Sequence, residues 1–317
     1  MPCKRVNVFI GEPNSGKSNI VEALALMAQD SLSDGIFQEI FRFKTMADFF
    51  YDFNISENVE VDTDTMHLEI KYLKNANGIS LNQFDVVLHE IPNDLPFPIA
   101  SYNQTFMYDG RRGDTQGGVN TTNKFYEYKR LKNFQSFGFS FLKSPFGENL
   151  PQLLVSNNKL KKWVSDFLRS KGYRLQLKPV ENEILISKEV NDELYSYSYH
   201  TISETLQRVI FIYTAIETNK DATLLFDEPE ANTFPFYTKF IAELIGLSEQ
   251  NQFFITTHNP YLLTNLIQKT PASELNLCIT EMNNYQTIVH RLNAEQIEKV
   301  IEYDVDVFYN LDRIIDL

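Results

Sequence analysis

The stretch GEPNSGKSN, residues 11–19, decides the fold of this chain. Gly11 is followed by four residues and then by Gly16, Lys17 and Ser18, which matches the phosphate-binding pattern G-x-x-x-x-G-K-[ST] without a gap. The run before it, RVNVFI, alternates and is rich in β-branched residues, and apolar residues at helical spacing come after it. Strand, loop and helix in this order are the context that the pattern requires, so the sequence predicts a phosphate-binding loop.

The residue types of this loop suit a nucleotide. The glycines let backbone N–H groups curl around phosphate oxygens, the Lys17 ammonium reaches the β- and γ-phosphates, and the Ser18 hydroxyl ligates Mg²⁺. The positive end of the following helix adds its dipole. The predicted nucleotide-binding residues of the loop are Gly11, Asn14, Ser15, Gly16, Lys17, Ser18 and Asn19.

A second motif, LLFDEPE at 224–230, is an apolar run that ends in acidic residues. Parallel sheets keep their ligands at the carboxyl ends of the strands, so we expect Asp227 to hold Mg²⁺ directly or through water. We expect Glu228 to orient and deprotonate the attacking water. Glu230 competes for that role, but Pro229 starts a turn away from the strand and favours Glu228. Alone, such a run is a common strand end with solvated acidic residues. Its combination with the phosphate-binding loop favours the functional interpretation.

A third motif, FFITTHNPYLL at 253–263, is another apolar run that ends in polar residues. His258 stands where a γ-phosphate is sensed, and we count it with Glu228 as a catalytic candidate. A lone histidine at a strand end is often structural, and the position after the acidic strand favours the catalytic role here. TNKD at 218–221 only superficially suggests a guanine-specificity motif, because that motif needs a residue between Lys and Asp.

Taken in order, GEPNSGKSN, SETLQR, LLFDEPEANTFP and ITTHNPYLL resemble the ABC class of P-loop ATPases. Within that class they are similar to the SMC-like AAA15/AAA21 group, which includes the ATPase domains of OLD-family proteins. The resemblance covers about residues 5–30 and 200–270. It implies an enzyme that uses ATP and Mg²⁺, and a head-to-tail homodimer in which the P-loop of one copy faces the signature helix of the other.

The signature segment departs from the family pattern. That helix normally opens Ser-Gly-Gly or Ser-Ser-Gly, whereas Glu204 follows Ser203 here. Ser203 can still cap the helix and contact phosphate. Glu204 either points away from the phosphate, or it weakens the contact and slows hydrolysis. Thr205 and Arg208 either compensate as further nucleotide contacts or are ordinary helix surface. The Q-loop glutamine of the family stays open among Gln104, Gln116 and Gln135.

The expected fold class is α/β, with a mostly parallel sheet flanked by helices, an antiparallel β subdomain and an inserted helical lobe. We expect one ABC-type ATPase domain over 1–317. Short alternating runs predict the β subdomain over about 56–108. Residues 109–198 are the predicted basic, mainly helical lobe, and 199–317 are the second half of the core. The loop starts ten residues into the chain, which predicts a minimal sheet edge unless the start is placed late.

Composition limits the possible partners. The 317 residues carry a formal charge of −13, which argues against a protein whose whole surface binds nucleic acid. Between Arg111 and Lys178, however, the sequence has fourteen Lys or Arg and only four Asp or Glu. This basic island predicts contact with nucleic acid or an acidic partner through residues 111–178, or else a solvated helical face.

Cysteine and histidine usage excludes some classes of site. Cys3 and Cys278 give no disulfide framework or metal-ligand spacing, and the five histidines form no paired metal motif. No apolar run reaches the roughly 18 residues of a membrane span. We therefore expect a soluble, cytoplasmic protein that makes no membrane contact.

Elimination within the family leaves a stand-alone ATPase. There are no long heptad arms, fewer than sixty residues follow ITTHNP, and the segment between the loop and the signature is too long for a transporter ATPase. The resemblance then implies the nucleotide-driven subunit of a bacterial defence module, such as phage defence, or a toxin-type module with its effector on a separate chain. The alternatives are a slow-turnover ATP-binding switch or scaffold, or a DNA-associated SMC-like ATPase.

Overall fold

A computed structural model describes residues 2–33, 35–75, 77–91 and 97–316. The chain divides into two compact units: Met1–Val21 with Tyr126–Leu317 form unit 1, and Glu22–Phe125 form unit 2. The helices are Lys17–Leu26 (α1), Ile36–Ile40 (α2), Leu150–Ser156 (α3), Asn158–Arg169 (α4), Glu204–Thr218 (α5), Pro235–Gly246 (α6), Pro260–Lys269 (α7), Ala294–Tyr303 (α8) and Leu311–Ile315 (α9).

The strands belong to three sheets. They are Val6–Gly11 (β1), Val59–Asp62 (β2), Met66–Lys74 (β3), Ser80–Glu90 (β4), Ala100–Met107 (β5), Arg112–Gly118 (β6), Asn123–Tyr126 (β7), Arg174–Lys178 (β8), Glu183–Val190 (β9), Glu193–Ser198 (β10), Thr223–Asp227 (β11), Gln252–Thr256 (β12), Leu275–Asn283 (β13) and Gln286–Arg291 (β14). Among the described residues no helix is both long and apolar enough to cross a membrane.

The main sheet has the order β14-β13-β1-β12-β11-β7. Strands β13, β1, β12 and β11 are parallel, with Val8 opposite Ile255 on one side and Leu277 on the other. Every residue of β1 is buried, as expected for a parallel strand that is covered on both faces. The predicted α/β fold class with a mostly parallel sheet is thereby confirmed.

The sheet edge beyond β1 is filled by late strands. The sequence predicts a minimal edge there, whereas β13 pairs with β1 and β14 pairs antiparallel with β13. The strand of the phosphate-binding loop therefore has neighbours on both sides, and both come from the last third of the chain. This arrangement needs pairing across more than 240 residues, which no local pattern in the sequence reports.

Unit 2 contains a five-stranded antiparallel sheet in the order β2-β3-β4-β5-β6. The sequence predicts this subdomain over 56–108, and the strands extend it to Gly118. The segment NANG at 75–78, in which the sequence pattern also indicates a hairpin turn, lies partly outside the described residues, and β3 and β4 pair antiparallel on either side of it. Within the unit, Phe37 is fully buried and stacks on Phe106 with ring centroids 4.3 Å apart.

The prediction of a mainly helical lobe over 109–198 is wrong. The helices of this segment are α3 and α4, whereas β6 and β7 precede them and the three-stranded sheet β10-β9-β8 follows. Helix α4 is amphipathic, and its apolar side packs Trp163 against Tyr213 of α5 with 3.5 Å between the ring centroids. The apolar stripe of α4 favoured a helical interpretation of the whole segment, although such a stripe determines the structure of one helix only.

Candidate nucleotide-binding site

The phosphate-binding loop connects β1 to α1 in the predicted way. Gly16 adopts φ +89°, in the left-handed region that favours glycine. A Cβ atom at Gly16 would lie 1.9 Å from the Thr287 Oγ1 atom of β14, so both conformation and space require glycine. The Ser15 hydroxyl lies 2.6 Å from that of Thr280 in β13. The β13–β14 hairpin therefore supports the loop from outside.

Lys17 folds back over this loop. Its Nζ atom donates hydrogen bonds to the carbonyl oxygens of Gly11 at 3.0 Å and Glu12 at 2.7 Å. Burial lowers the pKa of Lys17, and the nearby carboxylates of Glu228 and Asp227 oppose that shift. The ammonium is thus held in place by neutral acceptors that a phosphate can replace.

Ser18 and Asp227 meet although 209 positions separate them. The Ser18 hydroxyl donates to Asp227 Oδ1 at 3.2 Å, and the Thr256 hydroxyl donates to the same oxygen. Strands β11 and β12 are parallel neighbours with Asp227 opposite Thr256, so their carboxyl ends deliver both side chains to one edge. A hydroxyl and a carboxylate side by side form an oxygen donor set of the kind that Mg²⁺ prefers, and they fit this ion.

Glu228 turns out of β11 in a left-handed conformation, with φ +46°. Its backbone N–H donates to the backbone oxygen of Thr256 at 3.2 Å, which fixes the turn. The carboxylate stays partly exposed and lies 3.4 Å from His258 Nε2. This contact brings the predicted base and the predicted γ-phosphate sensor together.

His258 titrates below the usual range for histidine. Burial is the main cause of its lowered pKa and the Lys17 ammonium adds to it, while Glu228 and Asp227 act in the opposite direction. The imidazole is therefore neutral at neutral pH and able to accept a hydrogen bond on one nitrogen while donating from the other.

Glu230, the competing base, lies in a different environment. It is only 5% exposed and accepts a hydrogen bond from the Thr257 hydroxyl. Burial raises its pKa to about 7. A carboxyl group enclosed in this way does not face the phosphate-binding edge, in contrast to the partly exposed Glu228, and the geometry favours Glu228 as the base.

The signature end of α5 carries a group of paired charges. Glu204 binds Arg208 at 3.2 Å and Arg130 at 3.5 Å, so two guanidinium groups face one carboxylate. Ser203 is the N-cap residue, is exposed, and makes no side-chain capping bond. The carboxylate that the sequence places near an anion site is therefore outnumbered by positive charge.

Thr205 and Arg208 are turned toward their own chain. The Thr205 hydroxyl donates to the backbone oxygen of Asn232, and the Arg208 side chain is only 12% exposed. Arg208 lies over the Tyr128 ring at 4.7 Å. Arg208 and Tyr128 also line a cavity of about 200 Å³ that reaches Asp227 and Glu228. Ser203 is thus the exposed member of the predicted trio.

The three glutamine candidates for the Q-loop differ in their surroundings. Gln104 is fully buried inside unit 2, where its amide nitrogen donates to the Asp114 oxygen at 3.1 Å and its oxygen accepts from Arg112. Its hydrogen-bonding groups are used within the β sheet. Gln116 and Gln135 are exposed.

Sequence reasoning missed the residues that support the site from a distance. No sequence pattern assigned a role to these residues, which are Arg130, Thr256, Thr257 and Thr280. Thr256 and Thr257 are the TT of ITTHNP, which directly precede His258, and that adjacency is the one signal from which they could have been found. Arg130 and Thr280 become neighbours of the site only through the order of the strands.

Comparisons with known proteins give three kinds of likeness. A family described as "AAA domain, putative AbiEii toxin, Type IV TA system" matches residues 107–264, just under half of the chain. An "ATP/GTP phosphatase" of Helicobacter pylori is 19% identical over 347 aligned positions, which cover 96% of this chain and 94% of that protein.

Two solved structures extend the likeness to three dimensions. An SMC head bound to the C-terminal winged-helix domain of ScpA has a TM-score of 0.50 and 15% identity, and the match covers 92% of this chain and 91% of that one. The SMC head domain of Thermotoga maritima matches over the same shares with 14% identity and a TM-score of 0.36. At these identities the first of the two matches shows a shared fold.

Proposed function

We propose that the chain is an SMC-like P-loop ATPase of the ABC type, which binds ATP together with Mg²⁺ and hydrolyses it as a homodimer. The observation that carries this proposal is the contact between the Ser18 hydroxyl and Asp227 at 3.2 Å. It brings the end of the phosphate-binding loop next to the acidic strand. Both are parts of the same proposed nucleotide site within one subunit.

Ser18 and Asp227 are the residues that would hold Mg²⁺. When bound, the ion would neutralise phosphate charge during hydrolysis. Lys17 is already held at the loop by the carbonyl oxygens of Gly11 and Glu12, and we propose that it moves from them to the phosphates. Gly11, Asn14, Ser15, Gly16 and Asn19 complete the proposed cradle.

Glu228 is the proposed general base. Its carboxylate is partly exposed at the same edge as Asp227, so it can take a proton from a water molecule that attacks the γ-phosphate. His258 lies 3.4 Å away and is neutral at neutral pH. We propose that it orients this water or the phosphate through a ring nitrogen, which is a role for a hydrogen-bonding group that needs no charge.

The second half of each site is proposed to come from the partner copy. Ser203 is exposed at the start of α5 with its hydroxyl unused for capping, which suits contact with a phosphate. Glu204 is neutralised by Arg130 and Arg208, which removes the objection that a carboxylate there repels an anion. Thr205 and Arg208 support this end from within the subunit and would reach a partner's nucleotide only after rearrangement.

Measuring ATP turnover for the wild type and for Glu228→Gln tests the proposal. A positioned general base contributes on the order of 100-fold or more, so the variant is expected to lose at least that much kcat. ATP binding should survive, because the amide keeps the shape of the side chain. Sedimentation of the variant with ATP and Mg²⁺ should then show a dimer. Equal turnover of the two proteins would refute Glu228 as the base, and no turnover by either would refute hydrolysis.

The biological role that we propose is the nucleotide-driven subunit of a defence or toxin-type module. Its support is the match of residues 107–264 to a family described as containing a putative AbiEii toxin. In this role ATP hydrolysis would control an effector protein on a separate chain. Co-purification of tagged protein with a neighbouring gene product, dependent on ATP and abolished by Lys17→Ala, tests it; nucleotide-independent recovery would contradict it.

A slow-turnover switch is the second candidate. The observation that favours it is Glu204 in place of the glycine of the signature, because even a paired carboxylate lacks the bare backbone that glycine offers a phosphate. The turnover assay separates the two: a wild-type kcat far below one per minute with tight ATP binding would favour the switch.

A further inference from the structure

Glu230 is a buried carboxyl group that the proposed reaction does not use. It follows Glu228 by two residues and is only 5% exposed. Its Oε1 atom accepts a hydrogen bond from the Thr257 hydroxyl, and its buried Oε2 atom has no hydrogen-bond partner among the described residues. Burying a half-bonded carboxyl group costs stability. Such a group calls for an explanation beyond filling space.

Thr257 links Glu230 to the loop that carries His258. The hydroxyl that donates to Glu230 also accepts a hydrogen bond from the Asn259 backbone N–H at 2.9 Å. The Asn259 side chain in turn caps α7 by accepting from the N–H of Tyr261. His258 lies between Thr257 and Asn259, so this chain of bonds fixes the backbone on both sides of the imidazole.

Hydrogen bonds to backbone oxygens around Glu230 fix the turn that carries Glu228. The Thr233 hydroxyl donates to the Glu230 backbone oxygen at 2.7 Å, and the Ala231 N–H donates to that of Glu228 at 3.0 Å. Glu228 has φ +46°, a conformation that is unfavourable for a residue with a Cβ atom. Neighbouring contacts must hold such a residue in place, and the Glu230 side chain is buried two residues after it.

We propose that Glu230 is a positioning residue, which holds Glu228 and His258 together through the Thr257 hydroxyl and the turn at 228–231. The inference rests on the proposed function, since it assigns these two residues to the hydrolysis of ATP. Glu230 acts only through its neighbours. An acceptor oxygen at its Oε1 position is what the Thr257 bond requires, so glutamine should replace it far better than alanine.

The first test measures the kinetics of ATP turnover for three variants, Glu230→Ala, Glu230→Gln and Thr257→Val. Misplacement of reacting groups by about 1 Å can cost on the order of 100-fold, so we expect Glu230→Ala to lose about 10- to 100-fold in kcat, with the KM for ATP within about 2-fold. Glu230→Gln should recover most of that loss. Thr257→Val should resemble Glu230→Ala, and the double variant Glu230→Ala/Thr257→Val should lose little more than either.

The imidazole resonance of His258 gives a second readout that needs no turnover. It is assigned by its loss in His258→Gln, and it should shift in Glu230→Ala and Thr257→Val but stay near its wild-type position in Glu230→Gln. Glu148→Gln is the matched control: Glu148 also has a buried Oε2 atom without a hydrogen-bond partner among the described residues, and it pairs with Lys143 outside the site. It should leave kcat and the His258 resonance unchanged.

Three outcomes would overturn the inference. The first is wild-type kcat in Glu230→Ala. The second is a kcat loss as large in Glu230→Gln as in Glu230→Ala, and the third is independent effects of Glu230→Ala and Thr257→Val. If Glu230→Ala does not fold, Thr257→Val and Glu230→Gln still decide. Wild type and Glu228→Gln should be assayed in parallel. A wild type without ATP turnover would refute the proposed function. An active wild type together with a wild-type kcat in Glu230→Ala would refute only this inference.

Discussion

The phosphate-binding loop and the start of α5 are the two proposed contacts for phosphate, yet they are built in opposite ways. In the loop, Gly16 and Lys17 act through local conformation and short-range bonds to Gly11 and Glu12. At the start of α5, Glu204 depends on Arg130, which is 74 positions away. A motif in the sequence thus describes the first region well, whereas the second depends on a long-range ion pair.

Replacing Lys17 in the phosphate-binding loop should have the largest effect, which is a loss of ATP affinity. Hydrogen bonds to charged groups contribute about 1.5–3 kcal/mol each, so we expect Lys17→Ala to weaken ATP binding by about 100-fold or more. Calorimetric titration with ATP and Mg²⁺ measures this. Lys299→Ala, on the exposed side of α8 where Lys299 pairs with Glu302, is the control and should bind ATP normally. Equal affinities of the two variants would contradict the assigned role of the loop.

The pH dependence of unfolding stability should report on Glu230, which lies in the turn after β11. Burial raises the pKa of Glu230 to about 7 from 4.5, with Glu228 adding to the shift and Arg208 opposing it. The folded state therefore holds a proton that the unfolded state releases, and this contribution is present below about pH 4.5 and is lost as the pH rises to about 7.

The variant Glu230→Gln cannot titrate, so it isolates this effect. Between pH 5 and pH 8 the wild type should lose about 2 kcal/mol of unfolding free energy relative to the variant. Urea unfolding at the two pH values measures the difference. Parallel pH profiles would show that Glu230 titrates normally in the folded chain.

Removing Arg130 should affect the α5 end more mildly. Half of the positive charge around Glu204 disappears in Arg130→Ala, and because the pair is partly exposed we expect a cost of about 1 kcal/mol, or about 5-fold in kcat. The double variant Arg130→Ala/Glu204→Ala should recover activity, since the carboxylate is then gone as well. Lys129→Ala serves as the neighbouring control. A double variant slower than Arg130→Ala would show that Glu204 itself contributes to the reaction.

The basic island should give the smallest effect. In the structure Lys159 pairs with Glu217, and Lys178 with Glu183, so part of its charge is used within the chain. Reversing Lys159, Lys161 and Lys162 to Glu should weaken DNA binding at low salt and reduce its salt dependence, by about 0.9 in the logarithmic slope per lost phosphate contact. Filter binding at several salt concentrations measures this. Absence of DNA binding by the wild type at low salt would remove the nucleic-acid hypothesis.

The sequence predicted what local patterns determine. Gly16 and Lys17 are predictable because a tight turn before a helix needs glycine and a phosphate needs an ammonium, and Asp227 because acidic residues after a buried run mark a strand end. The fold class followed from the order of such runs and is confirmed. The roles of Glu228 and His258 stay predictions, although their side chains do lie together.

What the sequence did not predict depends on contacts between distant segments. The pairing of Glu204 with Arg130 and the support of Ser15 by Thr280 arise only when the strands are ordered in space. The prediction of a mainly helical lobe over 109–198 gave too much weight to the apolar stripe of α4, which determines one helix and says nothing about the strands on either side of α3 and α4. The burial of Gln104 inside the β sheet also has no pattern in the sequence, so the sequence alone does not separate it from Gln116 and Gln135.

The position of β1 between β12 and β13 has a consequence for the order of synthesis. Phe9 lies opposite Thr256 on one side and Cys278 on the other. The phosphate-binding loop is translated before the strands that flank its own strand, and the threonine that supports Ser15 follows only when residue 280 has been added. Such non-local pairing delays folding. A nascent chain therefore has no fully supported phosphate-binding loop until residue 280 has been added, and nucleotide can act only after that point.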